Sequence, residues 1–342
     1  MMKRVLVGMS GGVDSTYAAL RLREEGYEVY GAVLRMHEYT EVEEAEESAA
    51  ALGIPLAVVD CTDLFASYVI SDFMREYRCG RTPNPCIVCN ELVKFRALYE
   101  EAKRREIPFI ATGHYARVTL ENGRYAVARA VDLTKDQSYM LYRLPQDVLS
   151  ALIFPLGEIC KTETLREAER LSLQAAQRPE SQEICFVKGE DYAAYIERAC
   201  GKSAEGEFVD ECGNVLGRHK GILHYTVGQR KGLGISSTGR LFVKQINIEH
   251  NRIVLSDHKV TNKEFFLSSV VFSGESDPAA LEKADNLMVK LRYTAPLVSA
   301  RVLWEGECVR VTMDTEAPFV TPGQSAVFYL GDRVAFGGIV TQ

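Results

Sequence analysis

Short apolar runs alternate with longer amphipathic segments up to residue 113, and this alternation restricts the fold more than any other feature of the sequence. The apolar runs predict strands over residues 4–9, 27–34, 56–60 and 108–113. The segments between them predict helices over residues 14–25, 43–52, 65–77 and 92–105, and helical patterns continue through 145–200. Because buried parallel strands are connected through helices, we predict an α/β domain: a parallel sheet with helices on both faces.

The pattern changes after residue 203. Hairpins are predicted with turns at 212–214 and 250–251, and evenly spaced short strands follow from residue 287. Short strands separated by turn residues are typical of small closed barrels. We therefore expect an α/β domain over residues 1–202, a small mixed central domain over 203–272 and a C-terminal β-barrel over 273–342.

Composition places this 342-residue chain among ordinary globular proteins, with 46% hydrophobic and 25% charged residues. It has no apolar run of the roughly 20 residues that a membrane helix needs, and its N-terminus lacks the apolar core of a signal peptide. Nine cysteines without an export signal indicate thiols in a reducing compartment rather than a disulfide scaffold. We expect a monomeric cytoplasmic protein that does not contact membranes.

Charge is distributed unevenly along the chain. The net charge of −7 argues against a general nucleic-acid coat, yet residues 212–248 contain no acid. That stretch holds the basic residues Arg218, Lys220, Arg230, Lys231, Arg240 and Lys244, together with Tyr225 and Gln229. Such a patch can face a phosphate backbone, although a solvated basic hairpin would look the same in the sequence.

The strongest local motif is Ser10-Gly11-Gly12-Val13-Asp14-Ser15, between the first strand and the first helix. Adjacent glycines allow a sharp turn and close ligand approach, and the helix start offers free N–H groups to a pyrophosphate. Asp14 could cap the helix or help to hold Mg²⁺. The motif lacks the lysine of a Gly-Lys-Ser/Thr loop and the GxGxxG spacing of a dinucleotide site. A plain strand-to-helix turn is the alternative, but the full string resembles the signature of the PP-loop ATP pyrophosphatases, which implies ATP.

Three cysteines lie in distinctive contexts. Cys86 and Cys89 form a CxxC pair just before a helix, and Cys185 lies in SQEICF. A cysteine at a helix N-terminus has a lowered pKa and can act as a nucleophile, so an ATP-activating loop with such thiols predicts thiolation. Three interpretations stay open: the thiols are inert, or Cys79, Cys86, Cys89 and Cys185 bind zinc or an iron–sulfur cluster, or Cys89 and Cys185 form a redox pair that meets across the active site.

Eight ordered blocks then make the chain resemble the bacterial tRNA-specific 2-thiouridylases, the MnmA/TrmU family. The blocks are GMSGGVDS at 8–15, GRTPNPCIVCN at 80–90, KF at 94–95, ATGHYAR at 111–117, DLTKDQSYMLYRL at 132–144, SQEICFV at 181–187, LHYTVGQRKGLGI at 223–235 and TPGQSAVFY at 321–329. The resemblance spans almost the whole chain, including the barrel.

The resemblance implies an ATP-dependent tRNA uridine 2-sulfurtransferase. Enzymes of this family adenylate the C2 oxygen of the wobble uridine and replace it with sulfur, which a cysteine desulfurase supplies through relay proteins. Carried onto this chain, Cys185 would hold the persulfide and Cys89 would be the nucleophile. A Cys89–Cys185 disulfide would remain at the end, whether the persulfide attacks directly or releases hydrosulfide.

The resemblance also implies the ligand contacts. ATP would contact Gly8, Met9, Ser10, Gly11, Gly12, Val13, Asp14, Ser15, Leu34 and Gly113, with Mg²⁺ as cofactor. The tRNA anticodon region would contact Asn84, Pro85, Cys86, His114, Lys135, Asp136, Gln137, Arg292, Tyr293 and Gln324.

One position departs from the family pattern, because Cys86 stands where aspartate is usual. A thiol is a much weaker acid than a carboxylic acid and could not replace a carboxylate at neutral pH. Either that role is dispensable, or Cys86, Cys89 and Cys185 hold an iron–sulfur cluster; we favour the persulfide route. The remaining rivals are another PP-loop enzyme and a non-catalytic RNA-binding protein with a structural metal site.

Overall fold

A five-stranded parallel sheet organises the N-terminal part of the protein. The computed structural model describes residues 2–171, 184–235, 239–318 and 320–341. The sheet strands are β1 (Arg4–Gly8), β2 (Glu28–Arg35), β3 (Leu56–Asp60), β4 (Phe109–Thr112) and, after a hairpin of β5 (Arg117–Glu121) and β6 (Arg124–Ala128), β7 (Leu152–Ile153). Their order is β3-β2-β1-β4-β7, and every pairing is parallel.

Helices connect these strands and cover the sheet. They are α1 (Val13–Glu24), α2 (Val42–Ala51), α3 (Thr62–Phe65), α4 (Ser71–Arg78), α5 (Pro85–Cys89), α6 (Phe95–Arg104), α7 (Gln146–Ala151), α8 (Lys161–Arg170) and α9 (Tyr192–Cys200). Single π-helical turns, Ala66–Ile70 and Asn90–Lys94, join α3 to α4 and α5 to α6. The predicted α/β class is confirmed.

The strand order defines where a ligand can bind. The chain runs outward from β1 to β2 and β3, and then returns to the other side of β1 with β4. In such sheets the loops after the two strands at the reversal diverge and leave a crevice at their carboxyl ends. Here that crevice lies between the loop after β1 and the loop after β4.

A small four-stranded sheet follows, in the order β10-β11-β8-β9. Its strands are β8 (Gly206–Val209), β9 (Val215–His219), β10 (Phe242–Asn247) and β11 (Arg252–Ser256). The β8–β9 and β10–β11 pairs are the antiparallel hairpins that the turn residues predict. Phe208, Tyr225 and Val243 are buried in its core.

Six antiparallel strands close into the C-terminal barrel. They are β12 (Thr261–Phe272), β13 (Leu287–Lys290), β14 (Val298–Glu305), β15 (Cys308–Pro318), β16 (Ser325–Leu330) and β17 (Arg333–Val340), with helix α10 (Pro278–Glu282) after the first. Pairing runs β12-β15-β14-β13-β16-β17, and β12 pairs with β17 to close the ring. Our domain boundaries stay a prediction, although Thr261–Phe272, which we assigned to the central domain, pairs with barrel strands.

The barrel is joined tightly to the α/β domain. The β5–β6 hairpin extends the barrel sheet through a pairing of Ala128 with Arg333. The Tyr139 hydroxyl donates to the carbonyl oxygen of Ser325 at 2.8 Å, and the hydroxyls of Tyr142 and Ser325 lie 3.1 Å apart. These groups are buried, so the two parts share a core rather than a wet surface. Among the described residues, no helix is long and apolar enough to cross a membrane.

Candidate active site

The loop after β1 forms a cradle of backbone N–H groups. Gly11 adopts a left-handed conformation with φ of 80°, and a Cβ there would lie 2.6 Å from the Cβ of Glu44. Only glycine fits both the dihedral and the space. Gly12 is the N-cap of α1 and no side chain caps this helix start, so the first N–H groups are available to an anion.

Two serines fix the shape of this phosphate loop. The N–H of Ser10 donates to Oγ of Ser15 at 3.1 Å, and that hydroxyl donates to the carbonyl oxygen of Gly12 at 3.1 Å. Thr16 also donates to Gly12, at 3.0 Å. The loop is therefore held by its own side chains before any ligand binds.

Gly113 brings the end of β4 against the phosphate loop. A Cβ at Gly113 would lie 2.6 Å from the carbonyl carbon of Asp14 and from the backbone nitrogen of Ser15. A side chain at this position would push the two loops of the crevice apart. The structure thus places the predicted ATP-contact residues of both loops side by side.

Asp14 does not cap α1, contrary to one of the two roles that its position in the sequence suggested. Both carboxylate oxygens accept hydrogen bonds from Nζ of Lys161, at 2.7 and 2.8 Å, and the Tyr115 hydroxyl donates to Oδ1 at 3.0 Å. Its carboxylate therefore points towards α8. Among the described residues of the loop, Asp14 is the carboxylate that could hold Mg²⁺ beside a phosphate, because Mg²⁺ is bound through one or two carboxylates plus substrate oxygens.

The three candidate thiols lie close to one another at the next strand end. Cys89 is buried in an apolar cluster that contains Leu34 and Phe186, and its thiol donates to Sδ of Met36 at 3.6 Å. Cys86 and Cys185 are exposed. Every one of the nine cysteines lies in a described part of the chain and is a free thiol. Residues 181–183 of the SQEICFV block lie outside the described residues.

Desolvation raises the pKa of all three thiols, although Cys86 and Cys185 keep exposed surface, so the lowered pKa that we expected from a helix N-terminus is wrong. Burial raises the pKa of Cys89 to about 12, and the neighbouring Cys185 and Cys86 add to this increase. The pKa values of Cys86 and Cys185 also rise, chiefly because their surroundings are desolvated. Cys89 is the fifth residue of α5, beyond the exposed N–H groups that would stabilise a thiolate.

Lys94 opposes this effect at every one of the three thiols. Its ammonium lowers the pKa of Cys86, Cys89 and Cys185 relative to what burial alone would give. Lys94 ends the π-helical turn that follows Cys89, and the Lys94 backbone N–H also stabilises the Cys89 thiolate. Such turns occur often at functional sites. The KF block at 94–95 thus contains a functional candidate for which the sequence indicated no role.

His114 is a neutral imidazole. Its ring packs near Phe95 and Phe154, and burial together with Lys94 lowers its pKa to about 3. Nδ1 lies 2.8 Å from Oγ1 of Thr112. Because an uncharged ring forms no ion pair with phosphate, His114 can contact RNA through the hydrogen bonds of its ring nitrogens rather than through charge.

The loop that leads into α5, residues 79–84, is held by all three parts of the chain; we name it the junction loop. The Thr82 N–H donates to the carbonyl oxygen of Pro322 at 2.9 Å, and Nε2 of Gln324 donates to the Thr82 carbonyl oxygen at 2.7 Å. From the central sheet region, Oγ1 of Thr226 lies 3.5 Å from Oγ1 of Thr82. Asn84 then caps α5 by accepting from the Cys86 N–H at 3.2 Å.

Among the other predicted tRNA contacts, Arg292 and Tyr293 belong to the barrel and Lys135 belongs to the α/β domain. Arg292, half-buried, donates to Oγ1 of Thr321 at 2.6 Å, so it contacts the same barrel loop as Gln324. Lys290 lies over the ring of Tyr293, with Nζ 5.7 Å from the ring centre. Lys135 is partly exposed on a loop of the α/β domain.

Asp136 differs from these residues because it is buried, with 3% of its surface exposed. Its Oδ1 accepts from the N–H groups of Ala130 and Ser138, and Oδ2 accepts from the Ser138 hydroxyl. Gln137 accepts from the Tyr115 N–H at 2.9 Å. The Asp136 oxygens therefore hold this loop together, and the contact of Asp136 with tRNA stays a prediction.

Some residues of the basic stretch 212–248 are used inside the central sheet region, which its composition does not indicate. Tyr225 is buried in the core of the central sheet, and Gln229 bonds the N–H of Thr226 and the carbonyl oxygen of Lys231. The basic residues Arg218, Lys220, Arg230, Lys231, Arg240 and Lys244 are exposed. Arg218 and Lys244 form ion pairs with Glu205 and Glu211.

The arrangement does not favour the metal-cluster alternative. Among the described residues, no group of three or more His, Cys, Asp or Glu side chains is arranged to hold a metal ion. Cys86, Cys89 and Cys185 interact electrostatically, but one is buried in an apolar cluster and two face solvent. This arrangement suits thiols that act in turn better than thiolates that share one ion.

Fold and site together define a PP-loop nucleotide-binding protein with a thiol site and an appended β-barrel. Family models match the chain along its length: a "tRNA methyl transferase HUP domain" over residues 3–189, a "tRNA methyl transferase PRC-barrel domain" over 193–257 and an "Aminomethyltransferase beta-barrel domain" over 262–340. A 4-thiouridine synthetase–RNA complex with bound ATP aligns with 54% of this chain and 45% of that one, at 16% identity and a TM-score of 0.36.

Full-length relatives are more specific. The chain is 43% identical to the tRNA-specific 2-thiouridylase MnmA of Acetivibrio thermocellus, with 99% of each chain covered. It is 41% identical to MnmA of Lachnoclostridium phytofermentans, again over 99% of each chain, and 39% identical to MnmA of Clostridium acetobutylicum, over 99% of this chain and 100% of that one. The chain belongs to the MnmA family of tRNA-specific 2-thiouridylases.

Proposed function

We propose that this protein is an ATP-dependent tRNA uridine 2-sulfurtransferase that acts on the wobble uridine of the anticodon. The observation that carries the proposal is the placement of Cys89 and Cys185 together, one strand away from the phosphate loop. A phosphate loop alone defines a nucleotide site, and thiols alone define a redox site. Their adjacency supports a reaction in which ATP activates a carbonyl oxygen and sulfur then replaces it.

In the first step, the C2 oxygen of uridine attacks the α-phosphorus of ATP and pyrophosphate leaves. The N–H groups at the start of α1 and the hydroxyl of Ser10 would bind the phosphate oxygens, in a loop whose shape Ser15 fixes before ligand binding. Mg²⁺, held by Asp14 and phosphate oxygens, would neutralise part of the charge of the leaving pyrophosphate. Leu34 and Met9 are buried, so they would border the adenine with apolar surface or with backbone.

In the second step, the terminal sulfur of a Cys185 persulfide attacks C2, and AMP leaves with the former C2 oxygen. Cys89 then attacks Sγ of Cys185. The S–S bond to the substrate breaks, its electron pair stays on the 2-thiouridine sulfur, and a Cys89–Cys185 disulfide remains. A thiol reductant must supply two electrons before the next turnover. If Cys89 instead releases hydrosulfide before the attack on C2, the same disulfide is left.

Cys89 needs help to act as a nucleophile, because its thiol is protonated at neutral pH. We propose that the Lys94 ammonium provides this help by stabilising the thiolate as it forms. Cys86 stands in the same electrostatic field and is exposed, but its raised pKa keeps it protonated. It would border the target base together with Asn84 and neutral His114, without acting as a carboxylate would.

The tRNA would approach across the junction loop, where the barrel and the central sheet meet the CxxC helix. Arg230 and Lys231 lie four and five residues after Thr226, which contacts this loop. Such residues bind phosphate oxygens and position the RNA without reading its sequence. The persulfide would come from a sulfur-relay protein or a cysteine desulfurase, and a monomer in the cytoplasm fits a reaction on free tRNA.

Pyrophosphate release and nucleoside analysis test the proposal together. We expect pyrophosphate release from ATP only when tRNA is present, and 2-thiouridine in the digested tRNA when a persulfide donor is added. Mass spectrometry of tRNA nucleosides from cells without the protein should show loss of the 2-thio group at the wobble position. Pyrophosphate release without tRNA, or unchanged nucleosides in those cells, would contradict the proposed function.

A further inference from the structure

Lys161 is a buried lysine that reaches the phosphate loop from the start of α8. Its Nζ lies 2.7 and 2.8 Å from the two oxygens of Asp14, although the residues are 147 positions apart in the chain. Lys161 is 5% exposed. Nothing in the sequence around residue 161 indicates a phosphate contact, and the resemblance to the family assigned it no role.

A small network fixes this lysine in place. The Lys161 backbone N–H donates to Oδ2 of Asp132 at 3.0 Å, which anchors the first turn of α8. Nζ lies 5.7 Å from the centre of the Tyr115 ring. The Tyr115 hydroxyl bonds Asp14 and lies 2.8 Å from Oγ1 of fully buried Thr164 on the next turn. Because the Lys161 backbone is bonded to Asp132 and its Nζ is bonded to Asp14, the ammonium is held beside the end of the phosphate loop.

The charges of the phosphate loop explain why a lysine is needed there. Between Gly8 and Ser15 the only ionisable side chain is Asp14, which carries a carboxylate. A carboxylate next to a triphosphate repels it unless a cation compensates. Loops of the Gly-Lys-Ser/Thr type carry that cation within the loop. This loop has none, and Lys161 is the buried ammonium that contacts it.

We propose that Lys161 is the phosphate-binding lysine of this loop, supplied by a distant helix and held in place by Asp14. When ATP binds, one of the hydrogen bonds from Nζ to Asp14 is exchanged for a β- or γ-phosphate oxygen. The other bond keeps the ammonium in position. After the α–β bond breaks, the same ammonium stabilises the charge on the leaving pyrophosphate. This inference rests on the proposed function, since it requires that ATP binds at the loop.

Asp14 and Lys161 can be changed together without leaving a buried charge. Variants at these two positions therefore distinguish phosphate binding by Lys161 from a purely structural role. Asp14→Asn keeps Lys161, whereas the double variant Asp14→Asn, Lys161→Met removes both charges. Both variants share Asp14→Asn and differ at residue 161 alone, so their comparison isolates the ammonium. Because Asp14→Asn leaves that ammonium without its carboxylate and lowers stability, binding is measured under conditions in which both variants are folded. Lys103→Met, on the exposed face of α6, is the control for loss of a lysine.

The measurement is the ratio of two dissociation constants, one for α,β-methylene-ATP and one for adenosine, determined by calorimetry in EDTA. Compared with Asp14→Asn, we expect the double variant to bind the triphosphate about tenfold or more weakly, the range for a lost charge-assisted hydrogen bond. Adenosine binding should not change, and Lys103→Met should keep the wild-type ratio. Lys161→Gln, which keeps a hydrogen-bond donor for Asp14, should show the same selective loss.

Other outcomes overturn the inference. An equal loss for both ligands would mean that Lys161 only maintains the fold, and an unchanged ratio in the double variant would mean that it does not contact phosphate. If the double variant does not fold, the ratio in Lys161→Gln decides in the same way. Failure of the wild-type protein to bind α,β-methylene-ATP would instead refute the proposed function itself, so the two failures are distinguishable.

Discussion

The phosphate loop and the thiol site are neighbours, but they are built in different ways. The phosphate loop is formed within the α/β domain: residues 8–15 fold on themselves, and Gly113 and Lys161 support them. The thiol site combines Cys89 with residues around Cys185, and the junction loop before it is held by the central sheet and by the barrel. Nucleotide binding should therefore depend on one domain, and sulfur transfer on the arrangement of all three.

The largest effect should come from removing either reacting thiol. We expect Cys89→Ser and Cys185→Ser to abolish 2-thiouridine formation, because serine can neither carry a persulfide nor form the disulfide. A first turnover of tRNA-dependent pyrophosphate release should persist, since the phosphate loop is untouched. Nucleoside mass spectrometry and a pyrophosphate assay measure the two steps separately.

An exposed cysteine of the barrel provides the matched control. Cys308→Ser lies at the start of β15, and we expect it to keep full thiolation. If Cys89→Ser or Cys185→Ser retained thiolation, the assigned role of that residue would be wrong. If both variants lost pyrophosphate release as well, the thiol site and the phosphate loop would not be the separate functional regions described above.

Gly113→Ala should disturb the phosphate loop rather than the thiol site. The new Cβ would lie 2.6 Å from backbone atoms of Asp14 and Ser15, so the loop after β4 or the start of α1 must move. Overpacking of this kind typically costs about 1–3 kcal/mol of unfolding free energy. We expect weaker ATP binding with unchanged reactivity of Cys89 towards an alkylating reagent. Denaturant unfolding and nucleotide titration provide the two measurements.

Gly239→Ala is the comparison for this variant, because among the described residues, its chain neighbours aside, no atom lies within 4 Å of a Cβ at Gly239. It should leave both stability and ATP binding as in the wild type. Normal ATP affinity in Gly113→Ala would show that the crevice tolerates a wider separation of its two loops. A large loss in Gly239→Ala would show instead that any added methyl group has this effect.

Lys94→Met should weaken the thiol site without removing a thiol. Lys94 lowers thiol pKa values that burial has raised, so its loss should raise them further. Below the pKa, the thiolate fraction falls tenfold for each unit by which the pKa rises. We expect alkylation and thiolation to slow at neutral pH, and the rise of both rates with pH to move to higher pH.

The pH profile distinguishes this role from a structural one. If Lys94 only supported the fold, Lys94→Met would lower the rates at all pH values by the same factor. Lys94→Arg keeps a cation and should restore most of the wild-type profile. Lys103→Met, on the solvent side of the following helix, should not alter the profile.

The same comparison explains which parts of the site could be predicted from the sequence. The phosphate loop is local, so Gly11, Gly12 and the two serines predicted it directly. Lys161 contacts Asp14 across 147 residues, and no spacing rule can indicate such a pair. The hairpin Arg117–Ala128 was missed, although Asn122 and Gly123, both with positive φ, form the kind of turn that favours hairpins.

The thiol pKa values were predicted with the wrong sign for a physical reason. A position near a helix start is readable in the sequence, but desolvation depends on which distant segments cover the residue. Phe186 and Leu34 share the apolar cluster of Cys89, and neither is its neighbour in the chain. Asp136 is a similar case: the resemblance implies a tRNA contact there, and packing places its carboxylate inside the protein, where its oxygens bond the loop. The sequence motifs therefore identified the candidate thiols, whereas their pKa values depend on the tertiary packing around them.

The smallest effect should come from loosening the junction loop at the barrel. Gln324→Ala removes the hydrogen bond from Nε2 to the Thr82 carbonyl oxygen. Loss of one such bond typically costs about 1 kcal/mol, equivalent to a factor of about five in a local equilibrium. We expect the Thr82 amide, which bonds the Pro322 carbonyl oxygen, to exchange its hydrogen several-fold faster. Thiolation should slow by a similar factor, and ATP affinity should not change.

Hydrogen exchange decides what Gln324 does, because the residue is also a proposed tRNA contact. If it contacts only tRNA, Gln324→Ala will weaken tRNA binding while the Thr82 amide exchanges at the wild-type rate. If it holds the junction loop, exchange will accelerate in the absence of tRNA. Arg301→Ala, which breaks an exposed ion pair with Asp314 elsewhere on the barrel, is the control and should change neither measurement. A loss of ATP affinity in Gln324→Ala would contradict the separation of the two regions, since it would couple the barrel to the phosphate loop.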